Sequence, residues 1–250
     1  MRIALIGRGR VATHLLKALL QAGHEVVSVN SRTLEELPLE ADVYILSVKD
    51  SALQDVIHNA VKGREGQLFV HTAGSMSMDL FKGCCARYGV LYPMQTFSLD
   101  REVNFREIPL FIEASDAATF QQIRALADSV SQHVYELSTA DRRYLHLAAV
   151  FACNFTNHCY ALAADVLAQK GLPFDVMLPL IDETARKVHE LHPTDAQTGP
   201  AVRGDQNVMD AQSALLDDRL ATIYMLMSES IQDKKQHDQL RLTEDTSHRV

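Results

Sequence analysis

In the first half of the chain, short apolar runs alternate with longer stretches whose apolar residues recur every three or four positions. "RIALIG" (2–7), "EVVSVNS" (25–31), "DVYILSV" (42–48), "GQLFVHTAG" (66–74), "GVLYPM" (89–94) and "PLFIEA" (109–114) have the length and β-branched content of buried strands. "VATHLLKALLQAG" (11–23), "SALQDVIHNAV" (51–61) and "AATFQQIRALADSV" (117–130) have helical spacing, and "HVYEL" (133–137) predicts one more strand at an edge. Strands separated by helices imply parallel crossovers, so residues 1–137 are expected to form an α/β half.

From Ser138 onward the strand pattern stops. A long helix is expected from about Asp141 to Lys170, closed by Gly171, and a second in "LPFDVMLPLIDETARKVHEL" (172–191). The polar loop "HPTDAQTGPAVRGDQN" (192–207) leads to a third, roughly Val208 to Gln232. The expected organisation is a nucleotide-binding domain over 1–137, a helical domain over 138–236 and a polar tail over 237–250, expected to be disordered. The fold class is α/β, a Rossmann-type domain followed by an all-helical one.

Composition narrows the function. The chain has 250 residues, 47% hydrophobic and 22% charged, which is ordinary for a globular protein with a real core. A net charge of -8 argues against nucleic acid as a partner, because that needs a basic surface to displace counterions. No apolar run is long enough to span a bilayer, and "MRIALIG" is too short for a signal peptide, so a cytoplasmic protein without a membrane partner is expected. Cys84, Cys85, Cys153 and Cys159 have neither disulfide nor zinc spacing and are expected to be reduced thiols; no metal site is expected.

The first strand runs straight into Gly7-Arg8-Gly9-Arg10-Val11-Ala12, a G-x-G-x-x-A. Gly7 permits the tight turn, Gly9 lets a phosphate approach the backbone, and Ala12 lets helix and strand pack closely. The helix N-terminus offers free N–H groups and a positive dipole end to a pyrophosphate. A strand before the motif and an amphipathic helix after it are the context that gives it meaning. The second strand ends in Asn30-Ser31-Arg32, where an NAD site usually carries an acidic residue for the ribose hydroxyls. A neutral amide, a hydroxyl and a cation suit the extra phosphate of NADP, although Arg32 is also compatible with a solvated loop. Ser47-Val48-Lys49 and His71-Thr72-Ala73-Gly74 end two further strands and are expected to line the cofactor's ribose and nicotinamide. For His71 alone, a structural role capping a turn is the competing reading.

"LHLAAVFACNFTNHCYALAA" (145–164) is mostly apolar, as for a buried helix, yet carries His146, Asn154, Asn157 and His158. At about 100° per residue, Val150, Asn157 and Asn154 lie near 40°, 20° and 80° from His146, so His146 and the two amides share a quadrant. Directed hydrogen bonds from the amides would orient a substrate, and an imidazole exchanges a proton near neutral pH. The alternative is that the amides satisfy buried backbone groups. In "TGPAVRGD" (198–205), Arg203 either holds a substrate carboxylate or pairs with Asp205 to brace the loop.

Taken in order, GxGxxA, "NSR", "HTAGS", "YPMQTFS", "IEA", "LHLAAVFACNFTNH" and "TGPAVRGD" resemble the bacterial Rossmann-like proteins that carry the helical domain of unknown function DUF2520. The resemblance extends to about residue 230. These look like distant relatives of pyrroline-5-carboxylate reductase, 6-phosphogluconate dehydrogenase and prephenate dehydrogenase. The resemblance implies an NADP oxidoreductase, a helical domain that often builds a homodimer, and a small-molecule substrate held between the domains. In the 6-phosphogluconate and hydroxyisobutyrate branch, a Lys and an Asn one turn apart on the first long helix do the acid–base and orienting work. Asn154 matches that Asn, but position 150 is Val. His146 is then the replacement proton donor on that face. "YPMQTFS", with Tyr92, Pro93, Gln95, Thr96 and Ser98, falls where relatives have a His-Pro segment beside the nicotinamide and is expected to line the cleft. The functional expectation is hydride transfer between NADP(H) and a small polar substrate; the alternative is a protein that senses or sequesters NADP(H) without catalysis.

Overall fold

The computed structural model of the protein describes residues 1–247, with side chains as far as His237. The chain forms two compact units, Met1–Thr156 and Asn157 onward. The first unit holds the seven strands β1 (Arg2–Ile6), β2 (Glu25–Val29), β3 (Val43–Leu46), β4 (Leu68–His71), β5 (Arg87–Pro93), β6 (Leu110–Ala114) and β7 (Val134–Glu136). They form one sheet in the order β2-β1-β3-β4-β5-β6-β7. Each expected strand is present, and β7 is the edge strand anticipated from "HVYEL".

The strands read as continuous apolar runs because both faces of the sheet are covered. Alternate residues go to opposite sides. Ile3, Leu5, Val43, Ile45, Leu68 and Val70 pack with α1 (Arg10–Gln21) and α3 (Ala117–Val130). Ala4, Ile6, Tyr44, Leu46 and Phe69 pack with α2 (Asp50–Val61) and a short 3-10 turn at Met78–Phe81. The parallel expectation fails at one ladder: β5 and β6 are antiparallel, Leu91 facing Ile112. A parallel return needs a crossover of a dozen or more residues, usually a helix; the connection here has only a single 3-10 turn at Phe105–Glu107.

The first unit ends with α4 (Thr139–Ala149) and a π-helical turn, Val150–Phe155. The second begins in α5 (Thr156–Ala168) and continues through α6 (Leu178–Glu190), α7 (Pro200–Arg203), α8 (Gln206–Ser213) and α9 (Asp218–Ser247). Among the described residues no strand follows Ser138, as anticipated. The first compact unit includes α4 and the π turn and ends at Thr156. Two expectations change. The helix expected over 208–232 is two helices, broken at 214–217. The stretch placed in a disordered tail is helical to Ser247, and its last residues, 248–250, lie outside the described ones. The four cysteines are free thiols, and burial pushes the Cys85 thiol up to about 12. No described helix is long and apolar enough to cross a membrane.

Candidate active site

The sheet order reverses at β1: β2 lies on one side and β3 on the other. Ligands of open α/β sheets bind outside the strand carboxyl ends at such a point. Gly7 sits there with φ +126, its N–H donating to the Val29 carbonyl at 2.9 Å. A Cβ at Gly7 would collide with the Ser47 carbonyl oxygen, so only glycine lets the β1 and β3 ends approach this closely. Gly9 caps α1 in extended conformation without a side-chain bond, and no atom of the described residues lies within 4 Å of where its Cβ would be. The first turn of α1 carries no acidic residue, and Arg8 and Arg10 beside it are exposed. Open backbone N–H groups, a positive helix end and two cations fit a pyrophosphate. Ala12 lies in the core, where its small side chain lets α1 pack on the sheet, and Val11 is half-buried against that core.

At the β2 end, Asn30 Oδ1 accepts from the Arg32 backbone N–H at 3.0 Å, closing a turn that leaves the Arg32 side chain exposed. Ser47 is buried and accepts through its hydroxyl from Thr72 Oγ1 at 3.1 Å, tying the β3 and β4 ends together. Val48 is half-buried, and Lys49, exposed, caps α2. His71 departs from the cofactor-lining expectation. Its side chain is fully buried and stacks on Phe81, with Nδ1 accepting from the Ala73 N–H at 3.2 Å and Nε2 3.3 Å from the Ser77 carbonyl. Burial lowers its pKa to about 4, so it is a neutral ring that closes its own turn. The competing structural reading of His71 is the one its surroundings support.

An open cavity of about 670 Å³ lies next to the fingerprint loop. Arg10 and Val11 line it from that loop, Tyr92, Gln95 and Thr96 from the end of β5, and His146 and Asn154 from α4 and the π turn. Among the described residues no carboxylate lines it. Of the segment expected to line the cleft, Tyr92, Gln95 and Thr96 line this cavity, whereas Pro93 and Ser98 do not, the Ser98 backbone carbonyl being held by His14 Nε2 at 2.9 Å. His146 is half-buried and meets the Tyr92 hydroxyl through Nδ1 at 3.1 Å. Gly74 makes room for this contact: a Cβ there would lie 2.7 Å from both His146 Nδ1 and Tyr92 Cζ.

The π turn corrects the helical arithmetic. Its bonds run from residue i to i+5, so its turns are wider than those of an α-helix and later residues lag behind the 100° schedule. Thr156 Oγ1 donates to the Phe151 carbonyl five residues back, at 3.0 Å. Both amides are exposed, but Asn154 remains at the cavity with His146, whereas Asn157 begins the second unit and is not among the cavity's lining residues. The helix is also less buried than its apolar sequence suggests: Tyr144, Leu147, Phe151 and Phe155 are all more than half exposed. Arg203 Nε pairs with Asp205 at 2.8 Å, the bracing alternative for that loop.

The sequence reading missed what anchors α4. Arg142, fully buried, donates from Nη1 to Glu113 at 2.7 Å and from Nη2 to the Met76 carbonyl at 2.7 Å. Glu113 also accepts from the Thr139 N–H and hydroxyl at 2.7 and 2.6 Å. Burial pushes the Glu113 carboxyl up, but the Arg142 and Thr139 bonds outweigh it and hold it below the usual range. Arg142 lies one turn before His146, so this clamp sets the rotation of α4 that presents His146 to the cavity. The one available signal was an arginine in register i, i+4 with that histidine.

Comparison with known proteins identifies the family and the fold. The family model for a domain of unknown function, DUF2520, matches residues 108–231, and the model for NADP oxidoreductase, coenzyme F420-dependent, matches residues 2–39. A Bacteroides fragilis protein described as a "putative NADP oxidoreductase" is 48% identical, with a TM-score of 0.88 over 93% of this chain and 98% of that one. An imine reductase from Myxococcus stipitatus in complex with NADP+ shares the fold at 17% identity, with a TM-score of 0.69 over 93% of both chains. A 1-pyrroline-5-carboxylate reductase from Streptococcus pyogenes does so at 15% identity and 0.62, over 93% and 98%. No curated protein sequence matches.

Proposed function

We propose a function from the premise that the chain belongs to the DUF2520 family of Rossmann-type NADP oxidoreductases. The protein is an NADP(H)-dependent oxidoreductase. Its reaction is hydride transfer between the nicotinamide and a small polar substrate seated in the cavity beside Arg10 and His146. The observation that carries this is a single cavity lined both by the fingerprint residues Arg10 and Val11 and by His146.

Bound NADPH supplies the hydride, and the chain supplies binding, orientation and a proton. Gly7, Gly9 and the first turn of α1 receive the pyrophosphate, and the Ser31–Arg32 turn receives the 2′-phosphate. His146 gives a proton to, or takes one from, the substrate atom bonded to the carbon that exchanges hydride. Asn154 orients the substrate through its amide. Asn157 takes no part in this orientation, since Asn154 lines the cavity and Asn157 does not. A second copy of the chain covers the apolar face formed by Tyr144, Leu147, Phe151 and Phe155; a monomeric mass by light scattering would refute that part.

The test is NADPH oxidation across a panel of ketones, imines and keto acids, for wild type and His146→Ala. Loss of the general acid costs roughly 10²–10⁴-fold in turnover, with NADPH affinity unchanged. Unchanged turnover removes His146 from the mechanism, and silence of the wild type across the panel favours cofactor sensing.

A further inference from the structure

We infer that Tyr92 is the positioning residue for His146, holding Nδ1 so that Nε2 carries the proton toward the cavity, and that Gly74 is the spacer this pair requires. The inference deepens the role proposed for His146 and rests on that reading.

Tyr92 extends from β5 with its ring buried against Phe111, so its hydroxyl has little freedom. Among the described residues its partner is His146 Nδ1, at 3.1 Å with the rings edge to face. A phenol donates well and accepts poorly, whereas an unprotonated imidazole nitrogen accepts well, so in the neutral ring the bond runs from Tyr92 Oη–H to Nδ1. Burial raises the Tyr92 pKa, which keeps the phenol protonated. The ring proton therefore sits on Nε2.

Nε2 makes no hydrogen bond to a described residue, and it is not closed off either: Arg142 Nε is the one fully buried side-chain nitrogen or oxygen without a partner among the described residues. Nε2 is therefore the ring nitrogen available to the cavity His146 lines. When the ring is cationic, Nδ1–H turns to donate to the phenol oxygen. Loss of the Nε2 proton to a substrate then leaves the neutral Nδ1–H ring donating to the Tyr92 oxygen. The Nε2–H form returns when Nε2 takes a proton from solvent and Nδ1 releases its own, so that the phenol again donates to Nδ1. A hydroxyl, being both donor and acceptor, serves each state. Fixing one ring nitrogen through a second group is how histidine orientation and tautomer are set generally.

Gly74 supplies an independent observation. It follows β4 and needs no left-handed backbone, yet a Cβ there would lie 2.7 Å from His146 Nδ1, 2.7 Å from Tyr92 Cζ and 2.9 Å from Tyr92 Cε2. The one glycine between β4 and the 3-10 turn at Met78–Phe81 thus stands where the hydroxyl meets the ring. The sequence reading gave Gly74 to the cofactor; these distances give it to the pair.

The experiment is long-range ¹H–¹⁵N correlation on histidine-labelled protein at about pH 8.5, roughly two units above the ordinary imidazole range. His146→Gln identifies the resonances among the 11 histidines. In the wild type, Nε2 should bear the proton and Nδ1 should show the shift of a hydrogen-bonded acceptor. Tyr92→Phe should move Nδ1 to the free-acceptor position, and Gly74→Ala should do the same. A wild-type proton on Nδ1, or an Nδ1 resonance that Tyr92→Phe leaves in place, overturns the inference. The wild-type spectrum decides even if a variant fails to fold. No substrate is involved, so failure here is distinct from failure of His146 in turnover.

Discussion

Replacing Glu113 by Gln tests whether the clamp under α4 holds the candidate site together. Glu113→Gln keeps the shape and one acceptor for Thr139 but leaves the Arg142 guanidinium charged and fully buried, with only the Met76 carbonyl and the Thr139 hydroxyl as acceptors. Breaking a buried ion pair by removing one partner costs about 3–5 kcal/mol. Arg142→Met should cost less, because the carboxylate it leaves keeps both Thr139 donors and 15% exposure to water. The expected order is therefore Glu113→Gln worse than Arg142→Met, and the variant with both residues replaced by apolar ones milder than Glu113→Gln alone. The chain has no tryptophan, so denaturant unfolding is followed by far-UV circular dichroism. The pH dependence has a definite sign. A carboxyl held below its unfolded value contributes stability that is present above about pH 4.3 and lost as pH falls through the folded value. The gap between wild type and Glu113→Gln should narrow in that acid window. A Glu113→Gln protein within about 1 kcal/mol of wild type, far short of the buried-pair cost, or an inverted order, would refute the reasoning.

Other outcomes follow from the same structure. His71 is neutral when folded and titrates near 4 instead of 6.5, so the unfolded chain binds its proton first. That contribution is complete above about pH 6.5 and declines toward pH 4 by about 1.4 kcal/mol per unit, about 3 kcal/mol in all. Urea titrations between pH 4.5 and 7 should show this slope in the wild type, and His71→Asn should lose it. Gly7→Ala combines positive φ with a collision at the Ser47 backbone and should cost more than about 3 kcal/mol. Gly9→Ala meets no atom of the described residues and should keep stability within about 1 kcal/mol while weakening NADPH binding; comparable melting losses in the two variants would contradict this. Arg32→Ala should lower NADPH affinity roughly 10- to 150-fold, as charge-assisted hydrogen bonds predict, and leave NADH affinity alone. Equal wild-type affinities for the two cofactors in a fluorescence titration would remove the 2′-phosphate role.

The sequence by itself determined the α/β half, its strands and helices, and the fingerprint turn. These rest on local periodicity and on glycines whose necessity is local, so neighbouring residues carry the information. The candidate histidine was also legible, as a polar residue on an apolar helix. Only the tertiary structure decided what that histidine touches. Tyr92 is 54 positions away from it, and the Glu113–Arg142 pair that sets its helix spans 29. The same limit explains the two amides. A π turn is an interruption of helical phase that no α-helical period encodes, so Asn154 stayed at the cavity while Asn157 left it. His71 followed suit: a histidine at a strand end reads alike whether it meets a ligand or closes its own turn. What separates the two is how much surrounding chain shuts water out, and that is settled only when distant segments pack.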